Sequence, residues 1–412
     1  MMRALGWLAG SLLLPGLLAL ALAAAIDSAP LVVRAQSISP DSVAHARRLL
    51  AGNDPRYLRR GEQRRVALPA GLIDDGLNHL AGLRYDGRAS FALDADGAEI
   101  RVTLPLPRLA GARYLNLKAR LRSGPGEPQF EDVRLGALPL PPAVLDYAIA
   151  TAARHLGYGE AWQLARQAVR QLNFIPGGQV VLVHYVWQPE ILDRARAIAL
   201  APADVVRLER AQQALAATLA PWAPGSTRPL TAVLAPLLTL DADNASAQQR
   251  ASLLVLASYM AGRGLEALVP EAKRWPRPPP LALTLRGRHD SAQHFVVSAA
   301  LAAWAGEPVA DAIGLYKELE DARRGSGFSF ADLAADRAGT RFGEALVNAP
   351  ERIQPLLAGT MGDADLAPRL DDLPEFLAER EFRRRYGGID SPAYRRLTDE
   401  IERRLDAMPL YR

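Results

Sequence analysis

The hydrophobic pattern of this chain changes its period along the sequence, and this change limits the possible folds more than any other feature. Within residues 62–142, short stretches alternate apolar and polar residues, which is typical of half-buried strands. Within residues 143–350, apolar residues mostly recur at three- and four-residue steps, which is typical of amphipathic helices. The sequence therefore predicts an α+β fold, with a small antiparallel sheet domain and a larger, mainly α-helical C-terminal part.

A hairpin is the clearest local prediction. Residues 90–107 read SFALDADGAEIRVTLPLP and alternate on both sides of a turn at residues 94–97. One more strand is expected inside the helical block, at residues 178–187, where it can complete the preceding sheet. Its alternation places His184 on one face and Val183 on the other. The segment GEAWQLARQAVRQLNF, residues 159–174, is predicted to be helical throughout.

These patterns divide the chain into six segments. They are a membrane anchor or signal at 1–27, a linker and short helix at 28–61, the sheet-bearing domain at 62–142, a helical region at 143–275, a helical His/carboxylate motif domain at 276–350 and a charged helical tail at 351–412. In the tail, acids and arginines alternate at i,i+3 and i,i+4 spacings, which predicts a solvated helical pair.

The N-terminal segment predicts export. Residues 4–26 carry no charge and are long enough to span a bilayer core. Arg3 precedes them, so the N-terminus is expected to stay in the cytoplasm. A cleaved signal peptide is the alternative, because Ala23–Ala25 resembles a cleavage site, but the long apolar run favours an uncleaved anchor. The prediction is a single-pass inner-membrane protein with its body in the periplasm. The absence of cysteine excludes disulfides and a lipoprotein attachment site.

The charge pattern gives no sign of nucleic-acid binding. The formal net charge is only +4, and the basic residues are almost all arginines without interleaved aromatic residues. The expected partners are the membrane, through the N-terminal helix, and an envelope protein or a lipid. The arginine run at residues 383–385 can contact an anionic partner of this kind.

Site-like chemistry is concentrated between residues 288 and 343. Taken as three helices, this stretch places polar and small residues on one stripe of each helix. The stripes are Asp290, His294 and Ser298 on the first helix, Asp311, Gly314, Glu318 and Asp321 on the second, and Asp332, Asp336, Gly339 and Gly343 on the third. If the stripes face inward, the carboxylates form a buried cluster that requires a metal ion, histidine, arginine or shared protons.

Four residues are the catalytic candidates: His294, Glu318, Asp321 and Asp336. Of these, His294, Glu318 and Asp336 are also predicted to ligate a divalent ion such as Zn²⁺, Mn²⁺ or Mg²⁺. The same groups suit general acid–base chemistry. The chain contains no HExxH and no GxSxG motif, so the standard zinc-protease and serine-hydrolase patterns are absent.

Each candidate also has a structural interpretation. Asp332 lies three residues after Ser329, which is the spacing of a capping box. Asp290 can cap the first helix, and His294 can be a hydrogen-bonded core histidine. Arginines close in sequence offer ion pairs, at Arg323 or Arg324 for Asp321 and at Arg337 or Arg341 for Asp336.

Residues 288–343 resemble the motif region of VanZ-like and YfiM-like bacterial proteins. The matching positions are Asp290, His294-Phe295, Lys317-Glu318, Asp321, Gly327-Phe328-Ser329, Asp332, Ala335, Asp336 and Gly339. Asp336 replaces the usual asparagine, the helices are less apolar, and the lipoprotein cysteine of one branch is missing. The chain as a whole looks like a membrane-anchored proteobacterial protein. The resemblance implies a site but supplies no reaction.

Two functions follow from these residues. The first is a non-catalytic envelope protein, structural or interacting, in which the His/carboxylate cluster is a buried network that fixes three helices. The alternative is a metal-dependent or acid–base envelope enzyme that uses His294, Glu318 and Asp336.

Overall fold

The structure, a computed structural model, describes residues 24–52, 58–95, 97–106, 113–122, 124–125, 129–155, 159–190 and 202–412. The chain forms two compact units, Met1–Ile198 and Ala199–Arg412. Most of the predicted anchor, residues 4–23, lies outside the described residues. Among the described residues, no helix combines the length and the apolar character needed to cross a membrane.

The first unit is dominated by antiparallel strands. Its strands are β1 (Ile26–Asp27), β2 (Gln63–Pro69), β3 (Arg88–Leu93), β4 (Gly97–Pro105), β5 (Tyr114–Arg122), β6 (Gly124–Pro125), β7 (Gln129–Leu135), β8 (Leu138–Pro139), β9 (Val169–Ile175) and β10 (Val180–Val186). Its helices are α1 (Pro40–Gly52), α2 (Ala70–Tyr85), α3 (Pro142–His155) and α4 (Gly159–Ala168). One sheet has the order β3-β4-β5-β7-β8, with β1 paired to β5, and the other has the order β2-β10-β9-β6.

The predicted hairpin forms between β3 and β4. The amide of Asp94 donates to the carbonyl of Gly97 over 3.0 Å, which closes the turn. Phe91 and Ala98 are buried and pack in one cluster with Val181 of β10. Every second residue of these strands therefore faces the apolar core, which explains the alternation in the sequence.

The prediction of a continuous helix over residues 159–174 is wrong. Helix α4 ends at Ala168, and the next seven residues form β9, which pairs with β10 across the turn Pro176–Gly178. Val169 and Phe174 of β9 pack against the apolar cluster. A Pro-Gly turn between two apolar segments is a hairpin signal, and sheet pairing overrides the helical spacing here. Strand β10 also pairs with β2 along its whole length.

The second unit is mainly helical. Its elements are α5 (Pro202–Leu219), β11 (Thr227–Pro229), α6 (Thr231–Leu238), α7 (Ala245–Met260), β12 (Ala282–Thr284), α8 (His289–Ala305), α9 (Glu307–Arg324), α10 (Phe330–Asn348), α11 (Pro350–Ala358), α12 (Asp363–Leu366), α13 (Glu379–Tyr386) and α14 (Pro392–Asp406). Strands β11 and β12 pair in parallel. The chain is thus a mixed α+β protein with small antiparallel sheets and a helical C-terminal part.

Two glycines bring α8 and α10 into very close contact. A Cβ atom added at Gly339 would lie 2.1 Å from the carbonyl oxygen of Phe295, and one at Gly343 would lie 2.1 Å from that of Ala299. The rings of Phe295 and Phe342 pack beside this contact, with centroids 5.4 Å apart. The polar residues of these two helices are therefore close enough to bond each other directly.

The charged tail was predicted to be a solvated helical pair, but α13 and α14 each bury one face. Phe382, Tyr394 and Ile401 are buried in the core of the second unit, and the ring of Phe382 stacks on Phe328 at 4.4 Å. The charged residues pair along the outer faces, as Arg383 does with Glu379. The i,i+4 charge pattern marks only the solvent side of such helices.

Candidate functional site

Three consecutive helices, α8, α9 and α10, carry the predicted site residues. Their bounds follow the three stripes of the sequence. The start of α10 is fixed by a short bridge, in which Phe328 and Leu377 exchange both backbone hydrogen bonds. Gly327 has a φ of +96° and packs against the backbone of Phe376 and Leu377, which favours glycine there. Ser329 then caps α10, accepting a hydrogen bond from the amide of Asp332 at 3.0 Å.

The centre of the site is the pair His294 and Asp336. Nδ1 of His294 lies 3.1 Å from Oδ2 of Asp336. The other carboxylate oxygen of Asp336 accepts a hydrogen bond from the hydroxyl of Ser298 at 2.7 Å. His294 and Ser298 are one helical turn apart on α8, and all three side chains are buried. Asp336 therefore fixes the imidazole and cross-links α8 to α10.

The other ring nitrogen of His294, Nε2, faces several charged groups. It lies 3.1 Å from Nζ of Lys317, 3.7 Å from Oδ2 of Asp332 and 4.0 Å from Oε1 of Glu318. Lys317 can donate to Nε2 only while this nitrogen is unprotonated, whereas a protonated Nε2 faces Asp332 and Glu318 as its partners. Burial lowers the pKa of His294, but the charges of Asp336 and Asp332 outweigh burial and raise it to about 9. Lys317 and the carboxylates thus compete for this nitrogen.

Glu318 is the most deeply buried acid of the cluster, with 1% of its side chain exposed. Its Oε2 accepts the backbone N–H of Ser329 at 2.9 Å, whereas its Oε1 has no hydrogen-bond partner. Burial, and next the charge of Asp336, raise the pKa of Glu318 to about 8. An acid in this environment keeps its proton at neutral pH unless a cation approaches it.

The sequence interpretation of Asp332 as one half of a capping box is wrong. In a capping box the N–H of Ser329 would donate to the carboxylate of Asp332. Here this N–H donates to Glu318, which lies on a different helix. The carboxylate of Asp332 turns towards His294 instead, and its Oδ1 has no hydrogen-bond partner but lies 3.9 Å from the guanidinium of Arg288. Burial raises the pKa of Asp332. The signal for this role was present in the sequence, since Asp332 lies four residues before Asp336 on the same stripe.

Asp321 and Asp290, which also lie on the predicted stripes, are at the edge of the cluster around His294. Asp321 is not in contact with His294 but accepts a hydrogen bond from Lys317 at 2.8 Å. Asp290 pairs with Arg288 at 2.9 Å, and the same guanidinium also reaches Glu375 at 2.5 Å. Lys317 and Arg288 were not predicted as site residues. Only the three-dimensional packing of the helices shows which acids they meet.

The ion pairs expected from sequence neighbours are also replaced by others. Arg337 pairs with Asp311, and Arg341 pairs with Glu402 at 2.5 Å, so neither of them binds Asp336. A helix points adjacent residues in different directions, and Arg337 directly follows Asp336. Asp336 is therefore free to bond His294 and Ser298.

One side of the cluster, at His294, Lys317 and Asp336, lines a cleft with a volume of about 480 Å³. His294, Ser298 and Asp336 contribute to its lining, together with apolar side chains such as Leu301 and Ile313. A mostly apolar cleft with a few convergent polar groups is the usual form of a small-molecule site. A ligand that enters this cleft can reach the imidazole.

In the folded chain it is Asp332, and not the predicted Asp336, that lies close to His294 and Glu318 as a third possible metal ligand. Within the part of the chain that the structure describes, His294, Glu318 and Asp332 offer three ligand atoms that all lie within 4.8 Å of one another. Asp336 contacts the opposite nitrogen of the ring, and so cannot share an ion with Nε2. Its geometry is that of a carboxylate that orients a ligating histidine.

Comparisons with protein families, with curated proteins and with solved structures found no significant match to this chain. The resemblance of residues 288–343 to VanZ-like and YfiM-like proteins therefore stays a prediction.

Proposed function

We propose that this protein is a cell-envelope enzyme whose active centre is the cluster around His294. The observation that carries the proposal is the pair of buried carboxylate oxygens, Oε1 of Glu318 and Oδ1 of Asp332, that lack hydrogen-bond donors beside the imidazole. A buried network that serves only stability is expected to satisfy its polar atoms. Unsatisfied, desolvated acids beside a histidine that lines a cleft are instead typical of functional sites.

The chemistry that these groups support is activation of water or of a ligand hydroxyl in the cleft. Asp336 holds Nδ1 of His294, which fixes the ring and leaves Nε2 as the nitrogen that can act on a ligand. Activation can come directly from the imidazole as a general base, or from a cation held by the imidazole and the carboxylates. Both routes need His294 in its present orientation, and therefore need Asp336.

Removing the imidazole is the direct test. We expect the wild-type protein to hydrolyse at least one member of a panel of carboxylic and phosphoric esters. His294→Ala and Asp336→Asn should each lower kcat/KM by about 100-fold or more. His289→Ala is the matched control, because His289 is exposed on the same helix and bonds only the carbonyl of Leu283. Full activity in a folded His294→Ala variant would exclude this centre.

A second candidate function is a non-catalytic envelope protein, structural or interacting, with an internal His/carboxylate network. It is supported by the bonds of Asp336, which join α8 to α10 through His294 and Ser298. Under this proposal, Asp336→Asn lowers the melting temperature and abolishes no activity. The same variants thus separate the two candidates.

The location of the protein is proposed from its N-terminus. The uncharged segment 4–26, preceded by Arg3, supports a single-pass anchor in the inner membrane with the body in the periplasm, where envelope proteins or lipids are the partners. Because the chain lacks cysteine, one introduced thiol can report the side of the membrane. Ala203→Cys, at an exposed position of α5, should react with an impermeant maleimide in spheroplasts. Labelling that requires lysis would contradict the proposal.

A further inference from the structure

We propose that the cluster binds one divalent transition-metal ion, with Nε2 of His294 and the carboxylates of Glu318 and Asp332 as its three protein ligands. This inference rests on the proposed active centre, and it names the cofactor of that centre. Metal binding can be measured without any activity, so the two proposals can fail separately.

The distances suit such an ion. Nε2 of His294 lies 3.7 Å from Oδ2 of Asp332 and 4.0 Å from Oε1 of Glu318. Ligand atoms bound tetrahedrally at about 2.1 Å lie roughly 3.4 Å apart. The three ligand atoms all lie within 4.8 Å of one another, so each pair has to approach by at most about 1.4 Å, which side-chain rotation can supply. Three protein ligands leave a further coordination position in a tetrahedral site, and of the three His294 lines the cleft from which water or substrate can come.

The groups that hydrogen-bond to the proposed ligands are a second, independent support for a metal site. Asp336 contacts Nδ1 of His294 and so directs Nε2 into the cluster, and Ser298 in turn holds Asp336. The N–H of Ser329 holds one oxygen of Glu318, which leaves the buried Oε1 pointing into the cluster without a hydrogen-bond partner. Carboxylate–histidine–metal arrangements and hydrogen-bonded ligand carboxylates are the usual supports of protein metal sites.

The balance of charge also favours a cation. Three carboxyl groups, those of Glu318, Asp332 and Asp336, lie within 4.0 Å of the imidazole of His294. The ammonium of Lys317 lies equally close. Lys317 also pairs with Asp321, and the Arg288 guanidinium, 3.9 Å from Asp332, also pairs with Asp290 and Glu375. The carboxyl groups of the cluster and its surroundings therefore outnumber the cationic groups, and desolvated carboxylates are costly unless they are paired or coordinate a metal.

The ammonium group of Lys317 lies close to the position proposed for the ion. Its Nζ is 3.1 Å from Nε2 of His294 and 3.7 Å from Oε1 of Glu318, two of the three ligand atoms. The side chain is 52% exposed and already bonds Asp321 at 2.8 Å. It can therefore swing outward while keeping Asp321 as its partner. The ammonium competes with the ion, and its removal should strengthen metal binding.

The ligand types narrow the identity of the ion. One imidazole nitrogen and two carboxylates suit Zn²⁺, Mn²⁺ or another first-row divalent ion. Ca²⁺ requires six to eight oxygen ligands, and Mg²⁺ usually keeps several waters and few protein ligands. Zn²⁺ and Mn²⁺ are therefore the ions to test.

The experiment is calorimetric titration of the full chain, stripped with a chelator, with Zn²⁺ and with Mn²⁺. We expect one ion to bind per chain, and Glu318→Gln and Asp332→Asn each to weaken binding by about tenfold or more. Lys317→Met should bind more tightly than the wild type. His289→Ala should bind as the wild type does, since its ring is bonded to the carbonyl of Leu283 outside the cluster.

Two outcomes would overturn the inference. One is the absence of saturable binding to the folded wild-type protein. The other is binding that Glu318→Gln and Asp332→Asn leave unchanged, which would place the ion elsewhere. If a variant fails to fold, Co²⁺ binding to the wild type decides, because nitrogen and oxygen ligands in a tetrahedral site produce intense visible absorption. Binding as expected without any hydrolytic activity would leave the metal site standing and remove the proposed enzyme function.

Discussion

Replacing Gly339 with alanine is expected to lower the free energy of unfolding of the second unit by about 3 kcal/mol or more. The added Cβ would lie 2.1 Å from the carbonyl oxygen of Phe295, and a backbone atom cannot move aside as a flexible side chain can. Helices α8 and α10 must separate, and this separation also pulls Asp336 away from His294. Denaturant unfolding followed by far-UV circular dichroism measures the change.

The control variant is expected to change the free energy of unfolding in the opposite direction. Gly76 lies in α2, and a Cβ added there would meet no atom within 4 Å. Gly76→Ala should therefore stabilise the first unit by up to about 1 kcal/mol, because alanine is the better helix former. If Gly339→Ala were as stable as the wild type, the close contact of α8 and α10 would be disproved.

The metal-free protein is expected to lose stability as the pH rises from about 5 to 9. Burial raises the pKa of Glu318 to about 8, and nearby carboxylates raise that of His294 to about 9 against the effect of burial. In both cases the native state holds a proton that the unfolded chain has released, so unfolding becomes easier as the pH increases. The slope is about 1.4 kcal/mol per pH unit for each such proton.

A conservative variant isolates the contribution of Glu318. Glu318→Gln carries no titrating proton but keeps an oxygen that can accept the N–H of Ser329. Its stability should therefore fall less steeply between pH 5 and 8 than that of the wild type. Glu351→Gln, at an exposed position of α11, should follow the wild-type curve. Parallel curves for wild type and Glu318→Gln, measured by urea unfolding with chelator present, would show that Glu318 is not protonated in the native state.

Much of the helical half could be predicted because each helix has a local pattern. The four-residue spacing of Asp290, His294 and Ser298 predicts one helix face, and His294 and Ser298 do contact Asp336 together. The strand β9 could not be predicted in this way. Its residues fit a helical repeat equally well, and only pairing with β10, which depends on the folded sheet, selects the strand.

Within the site, the sequence could identify most acids but not their partners. The spacing of Ser329 and Asp332 is that of a capping box, yet Glu318 of another helix binds the amide that Asp332 was expected to bind. Whether a carboxylate bonds the N-terminal amides of its own helix or contacts a neighbouring helix depends on how the helices pack. Asp321 shows the same limit, since it lies on the predicted stripe but contacts Lys317 rather than His294.

The close packing of α8 and α10 also determines when the site forms during folding. His294 and Asp336 are 42 residues apart, and all the ligands lie on three consecutive helices. The contact between His294 and Asp336 therefore forms only when α8 and α10 have packed against each other across α9 and its loops. The start of this segment's last helix also depends on the C-terminal helices, because Phe328 stacks on Phe382 of α13, so the site is complete only when the whole second unit has folded.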